Sequence, residues 1–154
     1  MKDEKTMKQR GFSLIELVIV IAIIAVLSVV VLFSGSQMFS EGTKRGVLID
    51  TTVAIPAAIN LCSKIHRGDL SGCNKESLMR KVPTLDEKTA CGDLWSIAPA
   101  DDQVVLTYPL TSCEDRKDIG EDIVEYVLEL PRISKPSTAY TNSDFTIRIT
   151  YLKK

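Results

Sequence analysis

The stretch FSLIELVIVIAIIAVLSVVVLF, residues 12–33, decides the fold of this chain. Its apolar run is interrupted only by Ser13, Glu16 and Ser28, and it contains neither proline nor glycine. As a helix rising about 1.5 Å per residue, it measures about 33 Å, which is enough to cross a bilayer. Such a helix is apolar on all sides and suits lipid or a bundle of similar helices. We therefore predict a membrane-spanning helix over residues 12–33.

The residues before this helix form a short basic leader, residues 1–11. Its four cations outnumber its two acids; they are Lys2, Lys5, Lys8 and Arg10 against Asp3 and Glu4. Basic residues stay on the cytoplasmic side, so the chain after the helix should lie outside the inner membrane. That compartment is oxidising, which favours disulfides among the four cysteines.

The whole chain has the size of one domain and almost no net charge. It contains 154 residues, with 19 Lys and Arg against 20 Asp and Glu, a net charge of −1. This balance argues against a nucleic-acid partner held by bulk positive charge. One histidine, no visible nucleophile beside it and no glycine-rich phosphate loop predict neither an enzyme nor a bound cofactor.

The junction between leader and helix carries a specific motif. A glycine, Gly11, is followed by an aromatic residue, Phe12, an acid four residues later, Glu16, and an unbroken apolar run. This junction resembles the class III signal of type IV pilins and of the pseudopilins of type II secretion. Many type IV pilins carry a proline where this chain has Phe33, and the chain departs from them there.

The resemblance implies a processing and assembly pathway. A prepilin peptidase would cut between Gly11 and Phe12 and methylate the new amine of Phe12. The subunit would wait in the inner membrane with its C-terminus in the periplasm. A platform protein and an ATPase would then transfer it into a homo-oligomeric helical filament with other pilins, either an extracellular pilus or a periplasmic pseudopilus.

Glu16 is the residue in the apolar run that needs an explanation. An isolated carboxylate in hydrocarbon costs a few kcal/mol, so it calls for a partner. The amine of Phe12 on a staggered neighbouring subunit would neutralise Glu16 and set the axial register. Two alternatives are that Glu16 snorkels to the headgroups, and that the segment is an ordinary secretory signal cut near Ser34-Gly35-Ser36.

Beyond the apolar run the chain divides into a weakened helix and a head. Residues 34–46 contain three glycines with Ser and Thr, and we predict a thinned, bent or unwound helix there. Residues 47–66 again show helical spacing, and Pro56 should kink that amphipathic helix. Its predicted apolar stripe comprises Leu48, Thr52, Ile55, Ala58, Ile59, Leu61, Cys62, Ile65 and His66.

The rest of the head, within residues 47–154, is predicted to be a loop over 67–93 and an antiparallel sheet over 94–152. Alternating apolar residues mark strands at 94–98, 104–108, 124–130 and 145–151, which we join as a meander. The fold class is therefore α+β: a long N-terminal helical stem, hydrophobic in its first half and amphipathic in its second, packed on a small antiparallel sheet.

The four cysteines allow three disulfide pairings. We favour Cys62 with Cys73, which ties the helix end to the following loop, and Cys91 with Cys113, which brackets two strands. By resemblance, the first would close the αβ loop found in some type IV pilins. Without a Cys-x-x-Cys pair or a second histidine, zinc is a weak reading, and His66 is expected at the exposed end of the helix.

Two further groups of charged residues are candidate binding sites. The acidic segment 114–122 gives weak calcium candidates, by analogy with the major pseudopilins: Asp115, Asp118, Glu121 and Asp122. A tip adhesin or DNA-uptake receptor would use basic residues of the head: Arg132, Arg148, Lys153 and Lys154. We favour a solvated surface as the explanation for both groups.

The leading interpretation is a structural subunit of a surface filament, a type IV pilin associated with adhesion or motility. A pseudopilin acting in protein secretion is the alternative within the same superfamily. A minor pilin acting as a binding module, and a membrane-anchored periplasmic domain that never polymerises, are the other two.

Overall fold

The fold is α+β, as predicted. The structure is a computed structural model that describes residues 14–153, without the side chains of residues 29–39. The chain divides into two compact units, Met1–Phe39 and Ser40–Lys154, which we call the stem and the head. In chain order the elements are α1 (Leu14–Ile49), a π-helical turn (Asp50–Ala54), α2 (Ile55–Ile65), α3 (Lys75–Lys81), β1 (Ser96–Pro99), β2 (Gln103–Pro109), α4 (Arg116–Leu128), a 3₁₀ turn (Lys135–Ser137), β3 (Ala139–Thr141) and β4 (Thr146–Leu152).

The helix α1 runs without a break through residues 34–46. The local unwinding predicted there from glycine content is therefore not present. A glycine costs a helix only about 1 kcal/mol relative to alanine, which neighbouring turns and tertiary contacts can offset. Gly46 has a packing role instead, because a Cβ at that position would lie 2.8 Å from the Cβ of Ala90.

The kink predicted at Pro56 is replaced by the π-helical turn before it. Proline has no N–H and its ring collides with the carbonyl four residues back, so an α-helix cannot continue unchanged into it. Here the N–H of Ile55 donates to the carbonyl of Asp50, five residues back, and Pro56 falls in the first turn of α2. Proline is tolerated there because first-turn N–H groups have no intrahelical acceptor.

The extra residue of this turn shifts the phase of the buried stripe. Before the π-helical turn, the buried residues are Val47 and Thr51. The sequence pattern had instead predicted burial of their neighbours Leu48 and Thr52. After it the buried residues are Ile55, Ala58, Ile59 and Cys62, as predicted. Leu61, Ile65 and His66 lie instead on the exposed side.

The sheet is antiparallel, with strand order β1-β2-β4-β3. Alternate residues of β2 and β4 are buried and form one core with the end of α1 and with α2. They are Val104, Leu106, Tyr108, Ile147, Ile149 and Tyr151. The hydroxyl of Tyr151 donates to the carbonyl of Thr51 at 2.6 Å, which fixes the π-helical turn against β4. The predicted meander is wrong, because β4 pairs with both β2 and β3.

The strand predicted over residues 124–130 is also wrong. Residues 124–128 belong to α4, which buries one helical face made of Ile119, Ile123 and Val127, and residues 129–130 follow its end. These residues are four apart, the spacing of a helix, whereas the alternation that suggested a strand covers only a few residues. The predicted loop over 67–93 likewise contains a helix, α3, capped by the side chain of Asn74, which accepts from the N–H of Ser77 at 2.8 Å.

Asp50 connects the π-helical turn to the sheet. The hydroxyl of Tyr108 donates to the Asp50 carboxylate at 2.6 Å and accepts from the N–H of Ala90 at 2.9 Å. Burial raises the pKa of Asp50 above its ordinary value, and the nearby Asp86 adds to the rise, while the hydrogen bond from Tyr108 opposes it. Burial and the Asp50 carboxylate together raise the pKa of Tyr108, so its hydroxyl remains a donor.

We predict that Asp50, compared with a matched asparagine variant, contributes more to the stability of the head in acid than at neutral pH. A carboxyl whose pKa is raised on folding binds its proton more tightly in the folded state, so its contribution is present below the ordinary pKa and is lost as the pH rises through the folded pKa. The free energy of unfolding of wild type minus that of Asp50→Asn should therefore increase from pH 7 towards pH 3. Denaturant unfolding at several pH values measures it, and a difference independent of pH would contradict the prediction.

Candidate assembly site

The described stem is an exposed apolar rod. All side chains from Leu14 to Ser28 are exposed in the single chain, and Leu14 and Ile15 are 83% and 68% exposed. The hydroxyl of Ser28 donates to the carbonyl of Ile24 at 2.7 Å, so this polar residue is satisfied within its own helix. A continuous apolar surface of this kind is stable only when lipid or protein covers it.

Glu16 lies in the first turn of α1, and its side chain is exposed. A carboxylate is favourable at this position because the first turn carries the positive end of the helix dipole. Gly11 and Phe12, the other residues predicted for processing and assembly, lie outside the described residues. Within the described part of the stem, Glu16 is the one carboxylate on an apolar rod, and a carboxylate is costly in hydrocarbon.

Comparison with known proteins identifies the N-terminal segment. The family described as the prokaryotic N-terminal methylation motif matches residues 6–32. The chain carries the class III signal of the pilin and pseudopilin superfamily. It is also similar to prepilin peptidase-dependent protein D of Escherichia coli K12, with 40% identity over 80 residues. That match covers 50% of this chain and 51% of the relative, so the chain spans about half the length of the relative, and no solved structure matches.

Within the described residues, length and composition single out one segment that could cross a membrane. One helical segment, Ser40–Ile65, is long and apolar enough, with mean hydropathy 1.5. It is the helix that packs on the sheet, so the core of the head accounts for much of its apolar content. Leu14–Ser28 is a shorter apolar helix. The predicted span over 12–33 extends outside the described side chains and stays a prediction.

The cysteines pair as favoured from the sequence. Cys62 is bonded to Cys73 with Cα atoms 5.9 Å apart, and Cys91 to Cys113 with Cα atoms 5.2 Å apart. The first disulfide closes the turn between α2 and α3. The second ties the loop before β1 to the residues before α4.

The four calcium candidates are not brought together. Asp115 precedes α4 without a capping hydrogen bond, and its carboxylate accepts from the hydroxyl of Ser40, while Asp122 pairs with Lys44. Asp118 and Glu121 point to solvent from the same helix. Within the described residues no group of three or more acidic, histidine or cysteine side chains could hold a metal ion.

The basic candidates for a binding module are also separate. Arg132 donates to the side chain of Asn60 at 2.7 Å and to the carbonyl of Leu152 at 3.2 Å, which is a structural role. Arg148 is exposed on β4. Lys153 lies beside Gly68, and Lys154 is outside the described residues. The structure gives these residues no common surface.

The head has one feature that the sequence reasoning missed, a groove between α1 and α4. It has a volume of about 640 Å³ and is lined by Glu41, Lys44, Arg45, Leu48, Asp122, Ile123, Glu125, Tyr126 and Glu129. We call it the acidic groove, since it has four carboxylates and two cations. The four-residue spacing of Ile119, Ile123 and Val127 was the available signal for the helix that forms its wall.

Proposed function

We propose that this chain is a structural subunit of a helical surface filament, a type IV pilin. The observation that carries the proposal is the exposed apolar rod with the carboxylate of Glu16 near its start, within the segment 6–32 that matches the methylation motif. A rod of this kind can be stored in lipid and then transferred to a bundle of identical rods without exposing its apolar surface to water.

In this mechanism the apolar helix holds the subunit in the inner membrane, where a prepilin peptidase removes the leader. Cleavage between Gly11 and Phe12 creates an N-terminal amine, which pairs with Glu16 of a neighbouring subunit. Neither charge is stable alone in an apolar bundle, so only an axial stagger that joins them permits addition. The peptidase, an assembly platform and an ATPase are the partners that this mechanism requires.

Processing at Gly11 gives a direct test. Gly11→Leu places a bulky side chain at the cleaved bond, and a misfit of about 1.4 kcal/mol or more lowers cleavage at least tenfold. We expect the membrane fraction to retain residues 1–11, as read by intact mass. Gly42→Leu is the matched control, because nothing lies within 4 Å of a Cβ at that position. Normal cleavage of Gly11→Leu would contradict the assignment.

A pseudopilin of a type II secretion system is the second candidate. Both candidates share the stem and the processing step and differ in where the filament lies. The disulfide-closed turn Cys62–Cys73, which resembles the αβ loop of some type IV pilins, supports the pilin. Electron microscopy of sheared surface fractions, with subunit stoichiometry, separates them: abundant surface filaments support the pilin, a periplasmic assembly supports the pseudopilin, and rare copies at a tip support a minor pilin.

A further inference from the structure

The acidic groove lies at the beginning of the head. Its floor is apolar, formed by Leu48, Ile123 and the ring of Tyr126, which is 49% exposed. Among its charges, Lys44 is paired with Asp122. Glu41, Glu125 and Glu129 form no ion pair with a described residue, and Arg45 is the remaining cation of the lining. The groove therefore combines an apolar floor with a negative rim.

The end of α2 carries the opposite charge to the acidic groove. We call it the basic end: Ile65, which is 54% exposed, with Lys64 and Arg67 close to it in sequence and with Lys81 and Lys153 beside His66 and Gly68.

Two contacts place Lys81 and Lys153 against the residues that follow Ile65. The Lys81 ammonium lies 3.2 Å from the Nε2 of His66. The side chain of Lys153 would touch a Cβ placed at Gly68. Hydrogen bonds from Ser71 lower the pKa of Asp69, and the charges of Lys153 and His66 add to this effect. The Asp69 carboxyl group therefore lies in the positive electrostatic potential of its neighbours.

The two surfaces begin about twenty residues apart along the chain, one beside the end of α1 and the other at the end of α2. From Lys44 to Lys64 this corresponds to about 30 Å at 1.5 Å per residue. One end therefore offers an apolar residue with a basic rim, and the other an apolar floor with an acidic rim. This is the arrangement of protein interfaces, in which an apolar centre is surrounded by complementary charges.

We propose that the basic end of one head docks in the acidic groove of a second copy of this chain. The two surfaces differ and lie at opposite ends, so each copy can bind one neighbour above and one below. Such a heterologous contact does not close on itself and generates an open filament. The inference rests on the proposed function and adds to it an axial contact between heads, separate from the apolar rod.

Charge reversal on the full chain tests the contact. Variant A carries Glu125→Lys and Glu129→Lys, and variant B carries Lys64→Glu and Lys81→Glu. Like charges facing each other cost several kcal/mol, so each variant alone should yield at least about tenfold fewer sheared filaments than wild type. Expressed together, A and B can alternate along the filament. The unchanged basic end of A then meets the unchanged groove of B, and the reversed end of B meets the reversed groove of A. Opposite charges face each other at every junction, so the yield should recover.

The matched controls reverse two exposed charges elsewhere on the head, Asp101→Lys with Asp144→Lys, and Lys88→Glu with Lys135→Glu. They should leave filament yield within about twofold of wild type, as surface charges outside a contact usually do. The glutamine versions of A and B serve if a reversal prevents folding, and they should give intermediate losses without recovery on mixing.

Several outcomes would overturn the contact. Wild-type yield from A or B alone would do so, as would failure of the mixture to exceed either variant. Unchanged filaments from B with lost binding to phosphatidylglycerol vesicles would assign the basic end to a lipid surface instead. A wild-type chain that forms no filament overturns the proposed function itself, whereas wild-type filaments that ignore these charges overturn only the contact.

Discussion

Glu16→Ala is expected to lower filament yield about a hundredfold or more, with membrane insertion and leader removal unchanged. In the bundle, alanine leaves the N-terminal amine of the neighbouring subunit buried without a partner. Removing one member of a buried charge pair costs about 3 kcal/mol or more, which corresponds to a factor of over a hundred in the assembly equilibrium. Insertion should not suffer, because a carboxylate in hydrocarbon is itself unfavourable.

The measurement compares sheared filaments with the processed membrane pool, by immunoblot and intact mass. Ser28→Ala is the matched control within the rod, because the Ser28 hydroxyl is already satisfied by the carbonyl of Ile24. It should assemble like wild type. Undiminished filament yield from Glu16→Ala would exclude a register role for the carboxylate, and loss of the protein from the membrane would assign it to insertion instead.

Much of the fold could be predicted from the sequence where one periodicity extends over many residues. The apolar run beginning at Phe12 predicts a helix, and the described part is helical from Leu14. The alternation in 145–151 predicts a strand, and β4 has Ile147, Ile149 and Tyr151 buried. Both patterns extend over many residues. The apolar side chains of β4 lie on one buried face, and the apolar helix has the same kind of surface on every side.

Short patterns and individual residues were less informative. The alternation over 124–130 is compatible with a helix, and only the spacing of Ile119, Ile123 and Val127 across a wider window identifies α4. Pro56 signals a break but not its form, because a π-helical turn removes the same clash as a kink. The groove beside α4 could not be predicted, since it depends on two helices far apart in sequence.

The role of Gly120 depends on the same tertiary packing. In α4 this glycine faces the ring of Tyr140 on β3, and an added Cβ would lie 2.4 Å from two ring carbons. Nothing in the local sequence distinguishes it from Gly42, which is also helical but has nothing within 4 Å.

Gly120→Ala should therefore destabilise the head by about 2 kcal/mol, although alanine favours a helix by about 1 kcal/mol. The collision forces α4 away from β3 or the Tyr140 ring out of its site. Fluorescence of Trp95, which is buried in the core, reports denaturant unfolding of the head. Gly42→Ala, the matched control, should instead gain stability, by up to about 1 kcal/mol.

Removing the ring separates this collision from any general effect on the helix. In a Tyr140→Ala background the space beside position 120 is open, so Gly120→Ala should become neutral or stabilising. The cycle of single and double variants then gives a coupling energy of about 2 kcal/mol between positions 120 and 140. If Gly120→Ala stabilises the head as much as Gly42→Ala does, the close packing of α4 on β3 is wrong. In that event the wall of the acidic groove, which α4 forms, must also lie elsewhere.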